Sequence, residues 1–277
     1  MELDKKKRYV IQAIAALIQN ANLKGFFTGK IYDGNAKSVC VPGLNCYSCP
    51  GAIGSCPIGS LQNALSAYKF RFPYYVVGFL LFFGALFGRL ICGFFCPFGL
   101  LQDLLHAIPF PVKRKSFRGE RWLRCVKYVV LIMLVIVLPV CVKLTPFFCK
   151  YVCPSGTASG ILLALGDTSL FQVFGSLFAW KACILGMIVA ASIMMARPFC
   201  KYLCPLGAIY GPLNKVSLYH LECDASKCVG CGKCQSVCDM CVDPSKEPNS
   251  MECIRCLKCV HECPVKALKA GIKTKLP

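Results

Sequence analysis

Residues 228–264 read CVGCGKCQSVCDMCVDPSKEPNSMECIRCLKCVHECP. They hold two runs of one form: Cys228-x2-Cys231-x2-Cys234-x3-Cys238, then Cys253-x2-Cys256-x2-Cys259-x3-Cys263 followed by Pro264. Tight Cys-x2-Cys-x2-Cys turns bring three thiolates to one cube, and a fourth on the following helix reaches the neighbouring cube. The spacing therefore assigns Cys228, Cys231, Cys234 and Cys263 to one [4Fe–4S] cluster, and Cys253, Cys256, Cys259 and Cys238 to a second. Gly230 and Gly232 let the backbone approach the first cube closely. Zinc also takes Cys-x2-Cys pairs, but two complete four-cysteine runs favour cubanes. Asp239, not proline, follows Cys238, which leaves the ligand choice between Cys238 and Cys241 open; Cys223 and Cys241, which flank the first run, read as spare thiols over substitute ligands. A domain of about 60 residues has a marginal apolar core, so metal must supply much of its folding energy. The expected unit is a small α+β domain over 219–277.

Upstream, the chain changes character. The whole of it has 277 residues, of which 56% are apolar and 16% charged, with a mean hydropathy of +0.56. An average soluble domain is about 45–50% apolar and about 25% charged. Residues 1–218 are expected to form a membrane α-helical bundle of about four transmembrane helices, near 9–27, 73–91, 126–144 and 171–196. The first is polar for a crossing, with Gln12, Gln19, Asn20 and Asn22. It lacks the clean apolar region and cleavage site of a signal peptide. The formal charge is +19, and its distribution sets the orientation. Lys5–Arg8 and the stretch with Lys113, Arg114, Lys115, Arg118, Arg121 and Arg124 are positive-inside signals. Both termini, and the C-terminal domain, are thus expected in the cytoplasm of a multi-pass protein of the cell membrane. The first outside loop, with Lys24, Lys30, Lys37, Lys69 and Arg71, runs against this bias. Nucleic-acid binding, the other reading of a basic chain, sits badly with the long apolar runs.

Cysteine numbers 23 and histidine only three, which disfavours a cytochrome with paired histidine ligands inside its helices. Cys-x3-Cys-Pro occurs three times: Cys92/Cys96, Cys149/Cys153 and Cys200/Cys204. Residues i and i+4 share a helix face, and proline suits the first turn of the next helix. If the bundle has four helices, Cys92, Cys96, Cys200 and Cys204 meet at the inner face. Cys149 and Cys153 then face the loop with Cys46, Cys49 and Cys56. The inner set has thiols enough for a third cubane. The outer set is open between a metal and disulfides. The expected cofactors are two [4Fe–4S] clusters, with one or two further Fe–S clusters from the membrane-face cysteines.

The stretches LNCYSCPGAIGSCPIGSLQ, RLICGFFCPFGLLQDLL, FCKYVCPSG and RPFCKYLCPLGAIYG, with the closing double run, resemble the NapH/NosR-type membrane-bound 4Fe–4S ferredoxins. The resemblance covers the chain from about Gly29 onward, without the large flavin-bearing domain of the longer members. It implies an integral membrane electron carrier, or the membrane component of a quinol dehydrogenase. Single electrons would pass between the membrane, with its quinone pool, and a partner oxidoreductase or soluble carrier. The alternative is an accessory redox protein for assembly or maturation of a metalloenzyme. Gln12, Gln19 and His106 are the candidates for hydrogen-bonding a quinone, against a plain role in helix packing.

Overall fold

The computed structural model describes residues 5–68, 72–111, 113–115, 119–166 and 175–272. Lys69, Arg71, Arg118, the start of the helix expected at 171–196, and the ends of the chain lie outside the described residues.

The chain opens with α1 (Lys5–Gln19) and α2 (Leu23–Thr28). The single helix expected at 9–27 is therefore two. Between them Asn22 turns its side chain onto the Pro50 carbonyl at 2.7 Å, and its own N–H onto Gly51 at 3.1 Å. The crossing loop lies so close that a Cβ on Gly25 would stand 2.2 Å from the Pro50 carbonyl oxygen. After a 3-10 turn (Asn35–Ser38) and the cysteine-rich loop come α3 (Pro57–Ser66), α4 (Tyr74–Phe87), α5 (Leu90–Phe94) and α6 (Pro97–Ala107). The expected span at 73–91 is shortened to the 14 residues of α4. Gly88 breaks it at φ 54°, where a Cβ would sit 2.4 Å from Asn214 Oδ1.

The longest helical rod follows. It runs from α7 (Glu120–Val129) through a π-helical stretch (Val130–Val137) into α8 (Leu138–Cys141). A π turn (Phe148–Val152), α9 (Pro154–Gly166), α10 (Ser176–Met194), α11 (Pro198–Tyr202) and α12 (Pro205–Leu213) complete the apolar unit. Among the described residues two helices are long and apolar enough to cross a membrane, Trp122–Cys141 and Ser176–Met194. Only 22% and 11% of their apolar windows are buried within the protein. Their outer faces carry Val129, Ile132, Met133, Ile136, Trp180 and Met187 in the open, surface that fits a lipid surround better than water.

The C-terminal unit is β1 (Tyr219–Cys223), α13 (Lys233–Ser236), α14 (Lys258–His261) and β2 (Leu268–Ile272). Antiparallel pairing of Tyr219 with Ile272 and of Cys223 with Leu268 brings its ends together. It is clasped to the helical unit by buried cations. Arg89 reaches the Met251 carbonyl at 2.8 Å and Glu252 at 3.1 Å, and Lys127 also pairs with Glu252. Arg255 donates to Phe87 O, Ser217 Oγ and Asn214 O.

Candidate metal centres

Each site of the helical unit is built from one repeated device. Cys56, Cys96, Cys153 and Cys204 each precede a proline that starts a helix: α3, α6, α9 and α12. Each is followed two residues after that proline by glycine, namely Gly59, Gly99, Gly156 and Gly207. The helix starts with unpaired N–H groups, and the glycine N–H turns to the cysteine sulfur. From Gly99 to Cys96 Sγ the distance is 3.4 Å. The same donor faces Cys56 from Gly59, Cys153 from Gly156 and Cys204 from Gly207. The shared Cys-Pro-x-Gly pattern was readable, but the three Cys-x3-Cys-Pro copies hid its fourth member at Cys56.

The structure gathers Cys92, Cys96, Cys200 and Cys204 in one place, all buried and each close enough to feel the others' charge. Burial, and then the neighbouring thiols, push Cys96 up to about 12. Gln102 donates to Cys200 Sγ at 3.3 Å. Two guanidiniums line the set. Arg89 donates to the Cys200 carbonyl at 3.1 Å, and Arg197 to the Cys92 carbonyl. Arg197 also grips Asp103 through two nitrogens, at 2.7 and 2.6 Å, and Asp103 holds Arg8 at 3.1 Å. Arg8, Arg89, Arg197 and Lys127 are all buried, and their carboxylate partners are Asp103 and Glu252; Lys201, beside Cys200, is buried too and has Glu120 at 3.9 Å. Five buried cations against three carboxylates leave an excess of two positive charges. Uncompensated charge is not tolerated inside a protein. A [4Fe–4S] core held by four thiolates carries about −2, and the donor set fits it.

A second set, Cys46, Cys56, Cys149 and Cys153, lines a cavity of about 670 Å³. These four are again mutual neighbours. Burial leads the causes that push Cys56 up to about 11 and Cys153 up to about 12. Lys181 donates to the Cys149 carbonyl at 3.4 Å and Lys37 enters from the other wall. Cys49 is not part of this set. The turn closed by its N–H on the Cys46 carbonyl swings it away, and its thiol faces Asn20 Oδ1 at 3.6 Å. Cys40 is likewise apart, against Ser60. All the loop cysteines are free thiols.

In the C-terminal unit, Cys228, Cys231, Cys234 and Cys263 line one cavity of about 290 Å³, and Cys223 lines it as well, beside Cys228. Cys238, Cys253, Cys256 and Cys259 line another with Met240, Val242 and Ile254. Burial raises Cys253 to about 12. At Cys263 burial also acts upward, but N–H groups of Leu268, Ala267, Val265 and Lys266 overcome it and hold the thiol below its usual value. Cys241 faces the Lys115 carbonyl at 3.0 Å, outside both cavities. Among the described residues no three His, Cys, Asp or Glu side chains are grouped to hold a single metal ion. Of the quinone candidates, Gln19 is engaged with the Phe95 carbonyl at 2.7 Å.

The "4Fe-4S binding domain" family matches the chain at residues 72–118, 126–169 and 177–220, one match around each Cys-x3-Cys-Pro copy. An uncharacterized protein of Methanocaldococcus jannaschii is 31% identical over 194 residues, covering 68% of this chain and 66% of its own. The putative electron transport protein YccM of Escherichia coli is 26% identical, covering 64% of this chain and 49% of its own. The ferredoxin-type protein NapH of Haemophilus influenzae is 27% identical, covering 69% of this chain and 64% of its own. The matched region thus spans from about half to about two thirds of these relatives. No solved structure matches. Iron–sulfur chemistry and electron transport are what the family and the grouped thiols share, and the chain belongs to the NapH/NosR-type 4Fe–4S ferredoxin family.

Proposed function

We propose that the chain is an integral membrane electron carrier holding four [4Fe–4S] clusters. The C-terminal unit holds two, on Cys228, Cys231, Cys234 and Cys263 and on Cys253, Cys256, Cys259 and Cys238. The helical unit holds two more, on Cys92, Cys96, Cys200 and Cys204 and on Cys46, Cys56, Cys149 and Cys153. The observation that carries this reading is the buried excess of two positive charges around the inner set, which protonated thiols would leave unbalanced.

When bound, the clusters supply one-electron exchange, at potentials set by their surroundings. The chain's own residues do the rest. Glycine N–H groups and Gln102 steady the sulfurs, the arginines balance charge, and the apolar walls exclude water. The Cys253–Cys256 loop lies directly on the inner set, since a Cβ on Gly93 would meet the Ile254 carbonyl oxygen at 2.5 Å. Cys259 and Cys234 are neighbours across the two C-terminal cavities. The sites thus form a series from the C-terminal unit into the helices. One end would exchange electrons with a partner oxidoreductase or soluble carrier, and the membrane end with the quinone pool.

Iron analysis tests the number. Four cubanes give about 16 Fe per chain and the C-terminal pair alone about 8. The double variant Cys92→Ser/Cys200→Ser should lose about 4 Fe, Cys46→Ser should empty the outer site, and Cys49→Ser should lose none. A native protein with about 8 Fe, unchanged in the double variant, refutes the membrane-unit clusters.

A further inference from the structure

The first cavity of the C-terminal unit carries one thiol more than a cubane needs. Cys223, Cys228, Cys231, Cys234 and Cys263 all line it. Four thiolates hold a [4Fe–4S] core, and by spacing the supernumerary one is Cys223. It ends β1, opposite Leu268 of β2. The next residue, Asp224, donates its N–H to the Ala267 carbonyl at 2.9 Å. The chain then reverses in a tight turn, where the N–H groups of Lys227 and Cys228 donate to the Asp224 carbonyl at 3.2 and 3.1 Å. The Asp224 carboxylate locks that turn. It accepts from the Ser226 N–H at 3.1 Å and the Ser226 hydroxyl at 2.6 Å, and Lys227 Nζ lies 3.3 Å away. Cys223 and Cys228 are thus the two feet of one closed turn, both at the wall of the cavity.

The second cavity is different. Among the described residues its thiols are the four of one cubane, set among Met240, Val242 and Ile254, all buried. The other flanking thiol, Cys241, is held away from it by the Lys115 carbonyl at 3.0 Å and Lys201 Nζ at 3.7 Å. The five-thiol cavity is the one that meets solvent. Cys231 is exposed, and Val229 beside it is 67% exposed. Accessible thiolates are the ones that oxidants reach. The extra thiol therefore stands where a ligand is most easily lost.

We infer that Cys223 is a reserve ligand of the first C-terminal cluster, able to take the place of Cys228 at the other foot of the turn. This rests on the reading that the cavity holds a cubane. In the exchange the Cys223 thiol gives up its proton and its sulfur bonds to the iron that Cys228 leaves. The Cys228 thiolate takes up a proton, and no electron moves. The iron keeps one thiolate, so the charge of the site is unchanged and only its attachment to the backbone shifts by one turn. The occasion for the exchange is oxidation. A peroxide that reaches Cys228 transfers one oxygen atom to its sulfur and leaves as water or an alcohol, turning the thiol into a sulfenic acid. Cys223 then holds the iron in its stead.

The test uses the full chain in detergent with its clusters, made without oxygen. Iron content and the EPR spectrum of the reduced protein are compared for native protein, Cys228→Ala, Cys231→Ala and the double variant Cys223→Ala/Cys228→Ala. Alanine offers iron no donor, so a missing ligand must come from elsewhere in the cavity. The expected result is native iron and a native set of signals in Cys228→Ala. Cys231→Ala and the double variant should lose the signal of that cubane and up to about 4 Fe. The same loss in Cys228→Ala as in Cys231→Ala overturns the reserve and leaves the cluster in place. Native iron and signals in both Cys231→Ala and the double variant overturn the cluster in this cavity, and the reserve with it. If Cys228→Ala does not fold, Cys223→Ser decides. It should carry native iron, yet lose the signal of this cubane several times faster than native protein under dilute peroxide. Equal rates overturn the reserve.

Discussion

Arg197 ties the fold to the proposed inner cluster. It sits at φ 50°, just before the proline that starts α11, and is 1% exposed. Its guanidinium spans the Cys92 carbonyl and Asp103, and it lies within electrostatic reach of Cys200 and Cys96. A fixed positive charge beside a cluster favours the more negative reduced state. Arg197→Gln should therefore move the inner cluster to a more negative potential, read by EPR redox titration. It should also destabilise the protein by about 3–5 kcal/mol, because Asp103 keeps only Arg8 as a partner. Arg197→Lys keeps the charge but loses the two-pronged grip, so it should hold the potential better than it holds stability. A potential unmoved in Arg197→Gln would show that the cation only serves packing.

Among the elements, the junction between helical and C-terminal units depends on one carboxylate. Glu252 lies between Arg89, just before α5, and Lys127 in α7. Burial alone would raise its pKa, but Arg89 and then Lys127 outweigh it, so the carboxyl is held below the usual carboxylate range. A depressed folded pKa contributes stability that is present above the unfolded value and lost as pH falls through the folded one. Hydrogen exchange along β1 should therefore quicken as pH drops below about 4, after correction for the intrinsic rate, and Glu252→Gln should show it at neutral pH. Protection in the variant equal to native would place the clasp elsewhere, on Arg255. This junction was not legible in the sequence. Arg89 reads there as a charge near the end of an apolar run, and its partner lies 163 residues away. The cysteine runs were legible because their spacing is local. The helix at 9–27 was misread because what breaks it, the Pro50 carbonyl against Asn22 and Gly25, comes from another part of the chain.

For the whole molecule, the levels of the sites along the long helices decide what the protein can do. Lys127 marks the inner set on the rod Trp122–Cys141, through Glu252 and Arg89. Leu134 marks the outer set, since its carbonyl takes Gln62 Nε2 at 2.8 Å and Gln62 Oε1 takes the Cys149 N–H at 3.2 Å. Seven residues of helix separate the two marks, about 10 Å at about 1.5 Å per residue. An apolar core is about 30 Å thick, so a single step across it is too long. On the proposed reading, two cluster sites at different depths within it would divide that distance. The C-terminal unit continues the series at the Glu120 end of the rod, where the basic segment also lies, Lys115 donating to the Ser236 carbonyl. The positive-inside bias predicts that this end faces the cytoplasm and that Cys141, exposed at the other end of the rod, lies outside. In intact cells a membrane-impermeant maleimide should label Cys141, while Lys246→Cys in the C-terminal unit should react only after lysis. Labelling of both from the same side would mean that the rod does not cross. The sites would then form a chain lying along one membrane surface, with no route for electrons to the other.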